Sequence, residues 1–268
     1  MIRRRLFLAA GAATLARPSF AAAAEEGGPS GSNGGMLQVL TYHRFEKREN
    51  PPGTMVSPGL FAEQMGWLAS HPIPVVGLRE AVRLAGGENV ATPSVAITAD
   101  DGWRTVYTEM LPVILKHRFP ATIFLNPPMI GRGGAYLTWP MVQEIRASGL
   151  FDIQAHTLSH PNFNEERRKR APEDYAAFIK HELADCRSML EDKIGAKVDQ
   201  LAWPFGIHNP QLEQVAADVG YVASYALGSK PVVAGSPVQA LPRSQIYESD
   251  GLNRFAWMAE GHSRKPLA

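Results

Sequence analysis

Apolar runs of strand length alternate with amphipathic segments along most of the chain. An unbroken apolar run favours a strand buried on both faces, whereas apolar residues three and four positions apart favour a helix with one buried face. The predicted strands cover 38–42, 74–76, 94–99, 122–126, 151–155, 201–204, 221–226 and 239–243. Predicted helices begin at the cap residues Ser57 and Thr138, and others cover 78–84, 104–117, 172–193 and 211–219.

Strands that alternate with helices predict a parallel sheet, because a parallel connection needs a crossover segment. About seven such units predict a single α/β domain folded as a distorted (β/α)7-type barrel rather than a two-layer sandwich. Neither an internal repeat nor a second-domain boundary interrupts the pattern. The active-site residues of such barrels lie at the carboxyl ends of the strands. The residues predicted at such ends are His43, Asp100, Asp101, His156 and Trp203.

The first 24 residues have the pattern of an export signal. Three arginines are followed by an apolar stretch over 6–15 and by small residues just before Glu25. The run 4–8 also fits the twin-arginine pattern, although an ordinary export signal carrying three arginines is an open alternative. We therefore expect a signal at 1–24, a flexible leader at 25–35, a catalytic domain at 36–262 and a tail at 263–268. Such a mature protein is exported, to the periplasm or the extracellular space.

Charge and cysteine content narrow the class of protein further. The formal net charge of +1 becomes 1 − 4 = −3 once residues 1–24, with four arginines and no acids, are removed. A chain without a strongly basic surface is not expected to bind nucleic acid. No membrane-spanning segment is expected in the mature protein, and the sequence does not indicate a protein partner. The single cysteine, Cys186, is predicted to be a small buried residue on a helix.

Two motifs carry the candidate chemistry. Asp100 and Asp101 follow a buried strand directly, and His156 and His160 are separated by three residues in a loop or a first helical turn. Two neutral imidazoles and a carboxylate suit a borderline divalent ion, and three protein ligands leave a position open for water. The second carboxylate could then act as a base. These residues predict a metal-dependent hydrolase, with zinc as the default ion and cobalt or nickel as alternatives.

Aromatic residues surround the rigid turn 203–206. The faces of Trp203 and Phe205 could form a floor for a sugar ring, although core packing explains Trp203 equally well. A nucleophilic triad has little support, because the chain lacks Gly-x-Ser-x-Gly and Cys186 lies within a helical pattern.

Together these motifs resemble those of the polysaccharide deacetylase family, carbohydrate esterase family four. The segments 98–102, 156–160 and 202–206 are similar to the first, second and third motifs of that family, in the same order. Within the family the chain is most similar to the poly-β-1,6-N-acetylglucosamine deacetylases of biofilm assembly, on the basis of Leu40–His43 and Leu241–Arg243.

The resemblance implies a role for each candidate residue. Asp101, His156 and His160 would hold a divalent metal, Asp100 would be the base and His43 the acid. The implied contacts to an N-acetylated polysaccharide come from Tyr42, Trp203, Phe205 and Arg243. Two departures from the family pattern are Ala99, where an aromatic residue is usual, and the absence of the arginine that opens the third motif. Arg243 is the candidate to replace that arginine and orient the base.

Three other functions remain open at this point. The same chemistry could act on chitooligosaccharide, peptidoglycan or acetylated xylan. A catalytically inactive carbohydrate-binding relative would account for Ala99 and for the missing arginine. A metal phosphoesterase is disfavoured, because the chain lacks the additional acidic and histidine ligands of a two-metal site.

Overall fold

The computed structural model describes residues 35–48 and 53–263. The predicted export signal at 1–24 therefore lies outside the described residues, as does all but one residue of both the leader and the tail. The described residues all belong to one compact unit. Within the described ranges, none of the helices combines the length and the apolar character that crossing a membrane requires.

Among the residues that the structure describes, seven of the nine strands close into a parallel barrel. In chain order the strands are β1 (Leu37–Tyr42), β2 (Arg44–Phe45), β3 (Met55–Val56), β4 (Ser94–Ala99), β5 (Ala121–Leu125), β6 (Phe151–Ala155), β7 (Gln200–Ala202), β8 (Ala223–Leu227) and β9 (Leu241–Gln245). The barrel order is β1-β4-β5-β6-β7-β8-β9, and β9 pairs back onto β1, whereas β2 and β3 pair only with each other. The predicted (β/α)7-type barrel is confirmed.

The helices lie mostly where the sequence predicts them. They are α1 (Pro58–Ser70), α2 (Arg79–Ala85), α3 (Leu111–His117), α4 (Trp139–Ala147), α5 (Phe163–Lys169), α6 (Pro172–Ile194), α7 (Pro210–Asp218) and α8 (Gly251–Ala259). The side chains of Ser57 and Thr138 accept hydrogen bonds from the first turns of α1 and α4, as expected of N-caps. A π-helical turn at Val106–Met110 leads into α3 and follows the Asp-Asp-Gly segment directly. Such turns are frequent at functional sites.

One predicted strand is wrong. The segment 74–76 contributes only an isolated bridge between Val75 and Val95, because β5 pairs with β4 from Ile97 onward and leaves only the start of β4 free on that side. Residues 156–162 form a loop rather than a helical turn, which settles the alternative left open for the two histidines.

The barrel interior is filled by side chains. Phe124 on β5 and Tyr225 on β8 have ring centroids 5.8 Å apart although their strands are not neighbours, so both rings point inward. The guanidinium of Arg243 lies 5.1 Å from the centre of the Phe124 ring. Cys186 is fully buried on α6, as predicted. A filled interior leaves the open ends of the barrel as the places where a ligand can bind.

Candidate active site

The carboxyl ends of the barrel strands meet around a single small cleft of about 160 Å³. Its lining includes His43, Asp100, Asp101, His156, His160, Trp203, Phe205 and Arg243. A larger surface cavity of about 670 Å³ contains none of these residues. The structure thus brings the candidate acids and imidazoles from three separate stretches of sequence into one place.

Three side chains in this cleft are arranged as metal ligands. Asp101 Oδ1 lies 3.4 Å from His156 Nε2 and 3.6 Å from His160 Nε2. Bonds of about 2.0–2.1 Å around a tetrahedral ion place neighbouring ligand atoms about 3.3 Å apart, and both Asp101–histidine distances match that spacing. All three ligand atoms lie within 4.8 Å of one another, so the group could hold a metal ion. The Nδ1–H of His156 donates to the carbonyl oxygen of Ala202 at 2.8 Å, which leaves the Nε2 lone pair directed at the cluster.

The backbone around the cleft adopts unusual conformations. Five non-glycine residues among those described have a positive φ, and four of them line or adjoin the cleft: Asp101 (71°), Thr157 (64°), His160 (56°) and Phe205 (57°). Each such conformation costs on the order of 1–3 kcal/mol and persists only where the surroundings impose it. Their concentration indicates that the fold holds the ligand-bearing loops in one fixed arrangement.

Two motif glycines are required by close contacts. A Cβ atom on Gly102 (φ 72°) would lie 2.9 Å from side-chain atoms of both Leu125 and Ile130. One on Gly206 (φ 69°) would lie 2.7 Å from the backbone nitrogen of Leu227. Both positions combine a left-handed backbone with no room for a side chain, which explains why glycine ends the first and third motifs.

Asp100 is buried and paired with an arginine from the far end of the chain. Arg243 Nη1 and Nη2 each donate to one Asp100 carboxylate oxygen at 2.8 Å, and Nη1 also lies 3.3 Å from Thr98 Oγ1. Burial by itself would raise the pKa of Asp100, but Arg243 and His156 hold that pKa below its ordinary value. Asp100 is therefore an ionised carboxylate with its orientation fixed by a two-pronged contact.

The other imidazoles differ in their electrostatic surroundings. His43 Nε2 lies 4.0 Å from Asp100 Oδ2, and burial lowers the pKa of His43 although Asp100 opposes that shift. Burial, helped by His156, lowers the pKa of His160 to about 4. An imidazole that stays neutral keeps a lone pair available, as a metal ligand must.

A sequence profile described as polysaccharide deacetylase matches residues 87–224, slightly more than half of the chain. The chain belongs to the polysaccharide deacetylase family.

Individual relatives point the same way. The poly-beta-1,6-N-acetyl-D-glucosamine N-deacetylase of Staphylococcus aureus (strain MRSA252) is 24% identical over 225 residues, which is 78% of each chain. The enzyme of the same name from Escherichia coli (strain K12) is 22% identical over 256 residues, 81% of this chain but only 38% of its own length.

Solved structures share the fold. IcaB from Ammonifex degensii matches 85% of this chain and 98% of its own at a TM-score of 0.74 and 24% identity. The Streptococcus pyogenes deacetylase PplD, solved in complex with acetate, matches 87% of this chain and 100% of its own at a TM-score of 0.75 and 21% identity.

The loop that carries both histidines of this deacetylase is held by a residue that the sequence did not single out. The buried carboxylate of Glu182 on α6 accepts hydrogen bonds from the Ser159 N–H at 2.8 Å and from its hydroxyl at 2.6 Å. Asn126 Nδ2 donates to the Thr157 carbonyl oxygen at 2.9 Å. The signal for Glu182 was present, since a charged residue lies beside Leu183 on the apolar face of α6.

The four predicted sugar-contacting residues lie in different surroundings. Phe205 is 59% exposed, and its ring centroid lies 4.7 Å from that of His160. Trp203 is 1% exposed, and its indole N–H donates to the Gln239 carbonyl oxygen at 3.0 Å. Tyr42 is fully buried and donates to Gln64, because its side of β1 packs beneath α1.

Tyr42 therefore contacts the core and has no surface to offer a sugar, which corrects the expectation for that residue. Arg243 is buried as well, and both ends of its guanidinium are directed at Asp100 rather than at the opening of the cleft. Phe205 is the predicted residue that offers an exposed apolar face at the rim.

Proposed function

We propose that this chain is a metal-dependent N-deacetylase that removes acetyl groups from poly-β-1,6-N-acetylglucosamine and releases acetate. The observation that carries the proposal is the cluster of Asp101, His156 and His160 beside the Asp100–Arg243 pair in one cleft. The names of the Staphylococcus aureus and Escherichia coli relatives support this choice of polymer. The export pattern at 1–24 supports action in the periplasm or the extracellular space.

The metal would be held by Asp101, His156 and His160. Their ligand types favour zinc, and cobalt or nickel would fit the same donor set. An ion bound there would polarise the acetamide carbonyl and lower the pKa of a coordinated water.

The remaining residues of the site move protons. Asp100, kept ionised by Arg243, takes the proton from the attacking water. His43 protonates the departing amine, which needs an imidazolium at that moment. Asp100 Oδ2 lies 4.0 Å from His43 Nε2. The proton that Asp100 takes from the water can therefore pass to His43, which then donates it to the amine.

The size of the cleft supports an acetyl group as the reacting part of the substrate. Sites that enclose a drug-sized ligand measure about 300–1,000 Å³, whereas this cleft measures about 160 Å³. A polymer would therefore lie across the rim and insert one acetamide group. Phe205 would support the sugar ring at that rim, and Trp203 would hold the Phe205 turn from below.

The test is acetate release from poly-β-1,6-N-acetylglucosamine and from chitooligosaccharides, measured with the full chain and with the chain beginning at Glu25. We expect a chelator to abolish release and added zinc, cobalt or nickel to restore it, with faster release from the β-1,6-linked polymer. Faster release from chitooligosaccharides would overturn the choice of polymer. Sugar binding without acetate release under any of the three metals would instead favour an inactive carbohydrate-binding protein.

A further inference from the structure

Trp103 touches the proposed metal ligand from the side opposite the histidines. Its indole Nε1–H donates to Asp101 Oδ2 at 3.0 Å. The other carboxylate oxygen, Oδ1, is the atom that lies 3.4 Å from His156 Nε2 and 3.6 Å from His160 Nε2. The two oxygens of Asp101 are thus divided between an indole and the ligand cluster.

The indole is itself fixed in place. Its ring stacks on Tyr136 with centroids 4.7 Å apart and planes inclined by 18°, and the Arg44 guanidinium lies 4.7 Å from the ring centre. Trp103 and Tyr136 also form an antiparallel backbone bridge. Backbone bonds on both sides of it, Arg104 N–H to Ala135 at 2.8 Å and Leu137 N–H to Gly102 at 2.9 Å, prevent the two strands of this bridge from sliding.

A fixed donor matters because a carboxylate is free to rotate about its last torsion. That torsion has broad minima, so the conformation of the backbone does not determine which oxygen faces the histidines. A hydrogen bond to one oxygen selects the rotation in which the other is presented to an ion. Partners that orient a ligand in this way typically contribute about 10- to 100-fold to metal affinity.

We propose that Trp103 is a positioning residue of the metal site: its indole N–H fixes the Asp101 carboxylate with Oδ1 towards His156 and His160. The proposal rests on the metal site of the proposed function. In this proposal the contacts of Arg44 and Tyr136 with the Trp103 ring hold the indole donor in place.

The experiment compares metal-free full-length wild type with Trp103→Phe, which keeps an aromatic ring and removes the N–H. Dissociation constants for Zn²⁺ and Co²⁺ are measured by calorimetry, and the visible spectrum of the Co²⁺ form reports its ligand geometry. We expect about 10-fold weaker binding and an altered Co²⁺ spectrum. Trp67→Phe on α1 is the matched control, because the Trp67 indole stacks on His71 away from the cleft, and it should change neither readout.

Equal affinity and an identical spectrum for wild type and Trp103→Phe would overturn this inference and leave the proposed function intact. Failure of the wild type to bind either ion would overturn both. If Trp103→Phe does not fold, as judged by circular dichroism, Tyr136→Leu removes the stacking partner without touching Asp101. That variant should bind Co²⁺ about two- to fivefold more weakly, and unchanged affinity would overturn the inference.

Discussion

Each end of the barrel holds a buried aspartate paired with an arginine, yet the two pairs have different surroundings. At the carboxyl end, Asp100 and Arg243 are both buried and joined by two bonds of 2.8 Å. At the amino end, Asp199 accepts from Arg79 at 2.9 and 3.3 Å, but the Arg79 side chain is 51% exposed. Lys197 adds a further contact to Asp199 at 2.9 Å.

The neighbours of each pair make the difference. At the amino end, the backbone N–H groups of Asp199 and Gln200 both donate to Gln154 Oε1, at 3.0 and 2.9 Å, so that cluster is closed on itself. At the carboxyl end, the Nε2 atoms of His156 and His160 both face Asp101 Oδ1, at 3.4 and 3.6 Å, inside the cleft. We therefore interpret the Asp199–Arg79 pair as structural, because the neighbouring polar groups hydrogen-bond to one another. The Asp100–Arg243 pair lies beside histidine nitrogens that face a cleft, which is the setting of a functional site.

The largest effect on activity is expected from removing His160, a proposed metal ligand at the carboxyl end of the barrel. His160→Ala should abolish stoichiometric metal binding and lower acetate release by at least about 10³-fold, since the Lewis acid contributes several kcal/mol. The measurements are metal content per chain and initial rate. His181→Ala, which removes an exposed imidazole paired with Asp185 on α6, is the control and should change neither. Full metal content in His160→Ala would refute the ligand assignment.

The next prediction exchanges the acid at each end for its amide. Asp100→Asn should lower turnover by about 10²- to 10⁴-fold while metal content stays at the level of the wild type, because a base is removed and the ligands are not. Asp199→Asn should keep turnover within about twofold. The measurements are the rate of acetate release and the metal content of both variants. Comparable losses of turnover in the two variants would contradict the distinction between the two ends.

A smaller effect is expected from shortening the arginines. Arg243→Lys replaces a two-pronged contact with a single ammonium beside a buried carboxylate, so we expect a loss of about 2–3 kcal/mol in the free energy of unfolding. Arg79→Lys should lose less than about 1 kcal/mol, because position 79 is half-exposed to water and Lys197 still contacts Asp199. Urea unfolding measures both. Equal losses would show that burial does not separate the two pairs.

The smallest effect concerns acid stability at the amino end. Burial would raise the pKa of Asp199, but Arg79 and Lys197 hold it below its ordinary value. A carboxyl with a lower pKa in the folded state stabilises the protein above the unfolded pKa of about 3.9, and this contribution is lost as the pH falls through the folded value. The wild type should exceed Asp199→Asn by no more than about 1 kcal/mol at pH 7 and lose that advantage as the pH falls below about 4. A difference that is independent of pH would contradict the assignment.

The fold was predictable because its signals are local. Apolar runs and helical spacing located all seven barrel strands, and Ser57 and Thr138 marked two helix starts by their side-chain chemistry. The segment 74–76 has a strand-like composition, but pairing depends on a free neighbouring edge, which local sequence does not reveal. The helix α8 and the small β2–β3 sheet were missed.

The residue types of the site were predictable from local sequence, but the directions of their side chains were not. Strand ends and motif spacing identified the acids and imidazoles that the barrel brings together. Whether an aromatic side chain faces the core or the cleft depends on which face of its strand is covered, so Tyr42 and Phe205 could not be distinguished beforehand. Glu182 was overlooked because the apolar stripe of its helix accounted for the pattern without it.

The sequence by itself determined the alternation of strands and helices, the barrel that follows from it, and the residue types at the strand ends. These depend on interactions within a few residues, which composition and spacing encode directly. Only the tertiary structure decided that Arg243 pairs with Asp100, 143 residues away, that Glu182 holds the histidine loop, and that Trp103 divides the oxygens of Asp101. Each is a matter of distance and direction between side chains, and those are fixed only when the barrel closes and brings separate segments into contact.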